Sequence, residues 1–245
     1  MTDRGLTPMD PKIRAAQKRV LDVFSKEAKD FALAGGTALE LYHLHHRFSW
    51  DLDFFSPKYD LSEIDRLAST FKKHVDKRIK LESELMAGGR AKVRFYSMPV
   101  KGAARPLKID LVEDVLFKKP RVENKEGVRV YSVKNIYFQK IAAISGMREE
   151  MDQVGRPRYR GRDEPRDAYD IYMLSTKIQP LHKFLQAVSA PYQKGVVHWY
   201  QTFSRQDLKL GLLDIDIYDS QFDSSKMIAY LEAEIRQFTK EIIGE

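Results

Sequence analysis

Asp51 and Asp53, two carboxylates set two residues apart, are the side chains whose types and spacing most plainly suit chemistry. They lie in Asp51-Leu52-Asp53-Phe54-Phe55, which alternates with period two and stops at Ser56-Pro57, as a half-buried strand does. On a strand both carboxylates leave the same face while Leu52 points the other way. Carboxylates aimed at one point repel unless a cation joins them. Magnesium, a hard ion that prefers oxygen and commonly bridges carboxylates to phosphates, meets that need. The same Asp-x-Asp spacing also occurs at solvated strand ends, so its neighbourhood has to decide.

Upstream, the apolar run Phe31-Ala32-Leu33-Ala34 ends at Gly35-Gly36-Thr37, which predicts a buried strand, a tight turn and a short helix with Thr37 as N-cap. Glycines there allow close backbone approach, and the free N–H groups of a helix start suit an anion. A Gly-Gly pair is equally an ordinary turn. Because the helix is short, the chain must return directly to the Asp51 strand, which would set a phosphate site beside a metal site. Arg47 and Ser49 are candidate donors to phosphate oxygens, or plain loop residues. Asp110, in the alternating segment 107–112, supplies a third carboxylate if that strand is a neighbour. Two ions about 4 Å apart on three carboxylates would activate a hydroxyl and stabilise leaving pyrophosphate, in an in-line attack on an α-phosphate.

The elements that must position these residues are read from periodicity. Residues 11–31 carry Ile13, Ala16, Val20, Val23, Phe24 and Ala28 at helical spacing. A helix is expected over 61–79. Strands are expected over 80–85 and 91–100, joined as a hairpin through Gly88-Gly89, and a last short edge strand over 128–132. Beyond residue 132 the pattern turns helical, over 133–148, 165–175, 180–190 and 224–243. Between the first two of these helices, residues 149–164 form a polar, basic loop, read as either a mobile lid or plain surface. The expected fold is α+β, a mixed sheet flanked by helices over residues 1–132 with a helical part over 133–245.

Bulk properties set limits. In 245 residues, 43% are hydrophobic and cysteine is absent, so a packed core is expected while disulfides and thiolate zinc sites are excluded. No stretch nears the roughly 20 apolar residues of a membrane helix, and residues 1–13 lack a secretory apolar segment, so the cytoplasm is the expected location and no membrane is expected as partner. The net charge of +7 favours an anionic partner such as RNA, DNA or a nucleoside triphosphate. Basic residues gather at 72–80, 101–108, 118–121 and 156–166, each of which also reads as solvated surface. His43, His45 and His46 fall at neighbouring helix positions facing different ways and are read as structural or solvent-facing, and Trp199, Tyr200 and Phe203 as packing.

Gly35-Gly36-Thr37-Ala38-Leu39 followed by His46-Arg47-x-Ser49-x-Asp51-Leu52-Asp53-Phe54-Phe55 resembles the signature of the AbiEii/AbiGii-type nucleotidyltransferases of the DNA polymerase β-like superfamily. Lys140 and then Arg166-Asp167-x-x-Asp170-x-Tyr172-x-Leu174 are similar to that family's later motifs. The resemblance implies a minimal nucleotidyltransferase core with a C-terminal helical part, often the toxin of a toxin–antitoxin or phage-defence pair. It also implies that Lys140 contacts the nucleoside triphosphate and that Asp167 is a polar active-site residue. On the residues alone, Arg166, Asp167 and Asp170 read equally as a helix-start charge cluster. The long basic loop between Lys140 and Asp167 departs from the family pattern.

The leading expectation is therefore a magnesium-dependent transfer of a nucleoside monophosphate to an acceptor hydroxyl, with the tRNA 3′ end preferred and a cognate antitoxin as protein partner. Two other readings stand beside it. One is a small-molecule nucleotidyltransferase of the antibiotic-modifying kind; the other is a non-catalytic protein of the same fold that binds nucleotide or antitoxin. Intact Asp51, Asp53 and Asp110 speak against the last, since a binder gains little from keeping like charges together.

Overall fold

The computed structural model describes residues 10–86, 91–146, 149–151, 157–159 and 161–243. The chain divides into two compact units, Met1–Ile136 and Tyr137–Glu245.

In the first unit, helix α1 (Pro11–Glu27) opens with Asp10 as N-cap, its carboxylate accepting from the N–H groups of Lys12 and Ile13, and with proline at the first helical position. Its apolar stripe, Ile13, Ala16, Val20, Leu21 and Phe24, is buried. Strand β1 (Ala32–Ala34) runs into helix α2 (Gly35–Ala38), which continues without a break as a π-helical turn over Leu39–Leu44. Strand β2 (Leu52–Ser56) follows, then helix α3 (Leu61–His74). The sheet is completed by β3 (Lys80–Leu85), β4 (Val93–Met98), β5 (Leu107–Glu113), β6 (Val122–Lys125) and β7 (Val128–Tyr131).

Seven strands make one mixed sheet in the order β3-β4-β5-β2-β1-β7-β6. Strand β2 is central, antiparallel to β1 and parallel to β5. Leu52 and Phe54 of β2 and Ile109 and Leu111 of β5 are fully buried on one face. There α1 packs, its Phe24 ring stacked 4.0 Å from that of Phe54, so burial assigns the residues between them, Asp53 and Asp110, to the other face.

Several elements differ from the expectations. The strand near residue 130 is interior, because β6 pairs beyond it and takes the edge. The β6 sequence Val-Glu-Asn-Lys is too polar to announce itself, as befits an edge strand. Thr37 is not an N-cap: the helix begins two residues earlier at Gly35, with Ala34 in the cap position. Helix α3 ends at His74, where the backbone turns towards β3. Strands β3 and β4 do pair antiparallel, while Gly88-Gly89 lies outside the described residues.

The second unit contains helices α4 (Val133–Ser145), α5 (Pro165–Lys177), α6 (Leu181–Gln186), α7 (Ala190–Thr202), α8 (Arg205–Leu212) and α9 (Ser224–Ile243), α4 beginning at the end of the first unit. Helices α7 and α8 were not expected from periodicity, since α7 carries an internal Gly195 and the short α8 an internal Gly211. Within the expected basic loop, β8 (Glu149–Met151) and β9 (Pro157–Tyr159) form an antiparallel ribbon; residues 152–156 and 160 lie outside the described residues. After the ribbon, the Arg162 N–H donates to Ala143 O at 2.9 Å. The unit has its own core, including Ile141, Ile171, Leu174, Leu185, Val196, Trp199 and Met227. No helix among the described residues is long and apolar enough to cross a membrane.

Candidate active site

The register of the central strands brings two of the carboxylates together. Asp53 on β2 and Asp110 on β5 are direct partners across a parallel pair, so their side chains stand next to each other on one sheet face. Asp51 lies just before β2, half-buried. Burial, then the charges of Asp53 and Asp51, push the Asp110 carboxyl up to about 7. Asp110 Oδ1 is buried without a hydrogen-bond partner. Among the described residues, no group of three or more His, Asp or Glu side chains is assembled to hold a metal ion by itself.

The glycine turn abuts the same point. Ala34 pairs with Asp53, and the next residue, Gly35, has φ +66°; a Cβ there would sit 2.5 Å from Asp53 Oδ2. Glycine is required on both counts. A Cβ on Gly36 would meet Arg47 Nη2 and Ser49 Oγ, each at 2.8 Å. The glycines therefore let the turn settle between the Asp53 carboxylate and the Arg47 guanidinium.

Thr37, Arg47 and Ser49 are all buried. The Thr37 hydroxyl donates to Asp51 O, tying the turn to the entry of β2. Arg47 Nη1 donates to Phe48 O at 3.2 Å. The Ser49 N–H donates to Glu40 Oε2 at 2.9 Å, and the other oxygen of Glu40 is ion-paired with Arg14 of α1. Gln17 of α1, fully buried, donates to Ser49 O at 2.8 Å and Trp50 O at 3.1 Å, and its own carbonyl accepts from Arg14 at 2.8 Å. These bonds fix the backbone that delivers Asp51. Sequence reasoning missed Arg14, Gln17 and Glu40, which stand as ordinary polar residues in helical segments. Their one signal is that Gln17 shares the helical face of Ile13, Val20 and Phe24.

The π-turn ends at His45 in the left-handed conformation, φ 49°, with its N–H donating to Glu40 O. Turns of this kind occur frequently at functional sites. The His43 ring nitrogen Nε2 lies 3.0 Å from Tyr131 O, in keeping with a structural role.

In the second unit, Lys140 Nζ contacts Asp167 Oδ1 at 2.6 Å and Asp170 Oδ2 at 2.7 Å, all three side chains being buried. Arg162 Nε lies 3.3 Å from Asp167 Oδ2. Burial alone would raise the Asp167 carboxyl, but Lys140 and Arg162 outweigh it and hold the group below its ordinary value. Asp167 and Asp170 are thus more than a solvated helix-start cluster. Trp199 and Phe203 are buried with ring centroids 5.4 Å apart, as packing residues are.

The family described as AbiEii nucleotidyl transferase toxin, of type IV toxin–antitoxin systems, matches residues 19–195, a span that includes the glycine turn, Asp51, Asp53, Asp110 and the Lys140 cluster. The chain belongs to the AbiEii nucleotidyltransferase family. A putative nucleotidyltransferase from Helicobacter pylori shares its fold at a TM-score of 0.58 and 17% identity, covering 97% of this chain and 98% of its own. JHP933 from Helicobacter pylori is similar at the same TM-score and identity, covering 96% and 94%. No curated protein sequence matches the chain. This AbiEii-family enzyme is a nucleotidyltransferase, and in its first unit Gly35, Asp53 and Asp110 lie side by side.

Proposed function

We propose that Asp51, Asp53 and Asp110 bind magnesium, as two ions, and that the Gly35-Gly36 turn takes the phosphates of a nucleoside triphosphate whose nucleoside monophosphate is moved to a hydroxyl of RNA. The observation that carries this reading is the pairing of Asp53 with Asp110 across parallel strands, with Asp110 Oδ1 buried and lacking a hydrogen-bond partner. A buried carboxylate beside like charges is costly unless a cation compensates it. The donor set is all oxygen, which fits magnesium, and a closed cage of side chains is not needed because this ion keeps waters and takes phosphate oxygens. When bound, magnesium lowers the pKa of an attacking hydroxyl and stabilises charge on departing pyrophosphate.

The chain's own residues supply position. Gly35 and Gly36 let backbone N–H groups approach an anion, and the Arg47 guanidinium beside Gly36 adds positive charge to the turn. Thr37 and Ser49 hold that turn and the Asp51 backbone in place. Lys140 and Asp167 keep the roles the resemblance implies, Lys140 as a contact of the triphosphate and Asp167 as a polar active-site residue. In the second unit the Lys140 ammonium lies 2.6 Å from Asp167 and 2.7 Å from Asp170. The net charge of +7 supports RNA as acceptor, with the tRNA 3′ end preferred. The toxin family supports an antitoxin as protein partner, and the cytoplasm is the proposed place of action.

Incubation with each of four α-labelled nucleoside triphosphates, magnesium and total tRNA tests this reading, followed by separation of RNA, protein and small molecules. Label in RNA is expected, from the triphosphate of the preferred base. Label confined to protein or to small molecules would replace the acceptor, and label in no fraction would contradict the proposal.

A further inference from the structure

We infer that Trp50 and Arg105 form a docking platform for the acceptor RNA, on the β4–β5 side of the carboxylates. The inference rests on the transfer reading above and adds where the second substrate lies. In the sheet order β4-β5-β2-β1, the glycine turn at the end of β1 and Asp110 on β5 flank Asp53 on opposite sides. In-line displacement requires the attacking hydroxyl to enter opposite the leaving group. With the triphosphate on the glycine turn, the acceptor comes from the Asp110 side.

That side carries groups suited to a nucleic acid. Trp50 directly precedes Asp51, is half-exposed and is braced edge-on by buried Phe48, ring centroids 5.1 Å apart. Arg105, exposed in the segment joining β4 to β5, lays its guanidinium 4.0 Å from the Trp50 ring centroid. Lys101 lies in the same segment, which Lys12 anchors by donating to Gly102 O at 2.8 Å. Lys108 is exposed two residues before Asp110, and its charge acts on that carboxyl. Phe95, half-buried, is the β4 partner of Asp110 on the same face.

This segment lies against Trp50 and leads into the strand that carries Asp110. Among the described residues, Lys101, Arg105 and Lys108 form no ion pair. Such cations release counterions on meeting phosphodiesters, and an aromatic ring next to them offers a stacking surface for a base.

The test is fluorescence anisotropy of labelled total tRNA at several salt concentrations, with calorimetry of a non-hydrolysable triphosphate plus magnesium as a separate measurement. Arg105→Ala is expected to weaken tRNA binding about 10-fold and to make its salt dependence shallower by about one charge. Trp50→Leu is expected to cost about 10-fold through lost stacking. Triphosphate affinity and melting temperature of Arg105→Ala should match the parent. Unchanged tRNA binding in both variants would overturn the platform and leave the transfer reading standing. Loss of triphosphate binding in a folded Arg105→Ala protein would put Arg105 on the donor side and overturn it too. A parent that binds triphosphate but not tRNA would remove the RNA acceptor and the platform together.

Discussion

At Asp110 burial and like charge act together, and the result is a pH dependence with a definite sign. Its folded pKa, about 7, lies above the value near 4 of an unfolded aspartate, so between these limits the folded state binds more protons. Stability therefore falls as pH rises through that window. Asp110→Asn removes the conflict and should melt at a higher temperature than the parent at pH 8 in EDTA, the gap closing towards pH 4. Equal melting at pH 8 would refute the assignment. Gly35 makes a second case. A Cβ there would meet the Asp53 carboxylate in a left-handed backbone, so Gly35→Ala should cost about 1–2 kcal/mol from the backbone alone, read by denaturant melts, and more than its stability loss in transfer rate. The spacing of Asp51, Asp53 and the glycines was legible in the sequence because alternation and turn chemistry are local. The alignment of Asp110 with Asp53 was legible only as a condition, since register between strands more than fifty residues apart depends on the whole sheet. Thr37 misled because its type suits an N-cap, whereas its hydroxyl is used across the turn on Asp51 O.

Among the elements, α1 and the π-turn carry the most concealed information. The elements themselves follow from periodicity, but their polar contacts do not. Gln17 is the buried donor to Ser49 O and Trp50 O, so Gln17→Ala leaves one buried and one part-buried carbonyl short of a partner. A loss of about 1–3 kcal/mol is expected from chemical denaturation. Hydrogen exchange should quicken at residues 49–51, and an unchanged exchange pattern would count against the clamp. The strands β2, β4 and β5 announced themselves by alternating apolar residues. Polar β6 and the glycine-bearing helices α7 and α8 did not, because their form is set by neighbours. Gly195, for example, must approach the Ser145 carbonyl, which a Cβ would meet at 2.1 Å.

At the scale of the whole molecule, each unit has its own core and its own buried charges. In the second unit, Lys140→Met takes the ammonium away from buried Asp167 and Asp170 while exposed Arg162 stays beside Asp167, at an expected cost of about 3–5 kcal/mol in denaturant. The depressed Asp167 carboxyl contributes stability that is present above the unfolded aspartate pKa and lost as pH falls through the lower folded value, so acid unfolding of the parent should owe part of its steepness to it. The switch from alternating to helical patterning near residue 132 was readable along the chain. The buried state of Asp167 and Asp170 was not, since their sequence also suits an exposed helix start. The measurement that bears most directly on the account is single-turnover transfer of labelled nucleotide by the parent and by Asp53→Asn, both shown folded by melting. The carboxylate site predicts transfer by the parent that depends on magnesium and is lost by at least 1000-fold, roughly 4 kcal/mol, in Asp53→Asn. Transfer by folded Asp53→Asn at the parent's rate would contradict it.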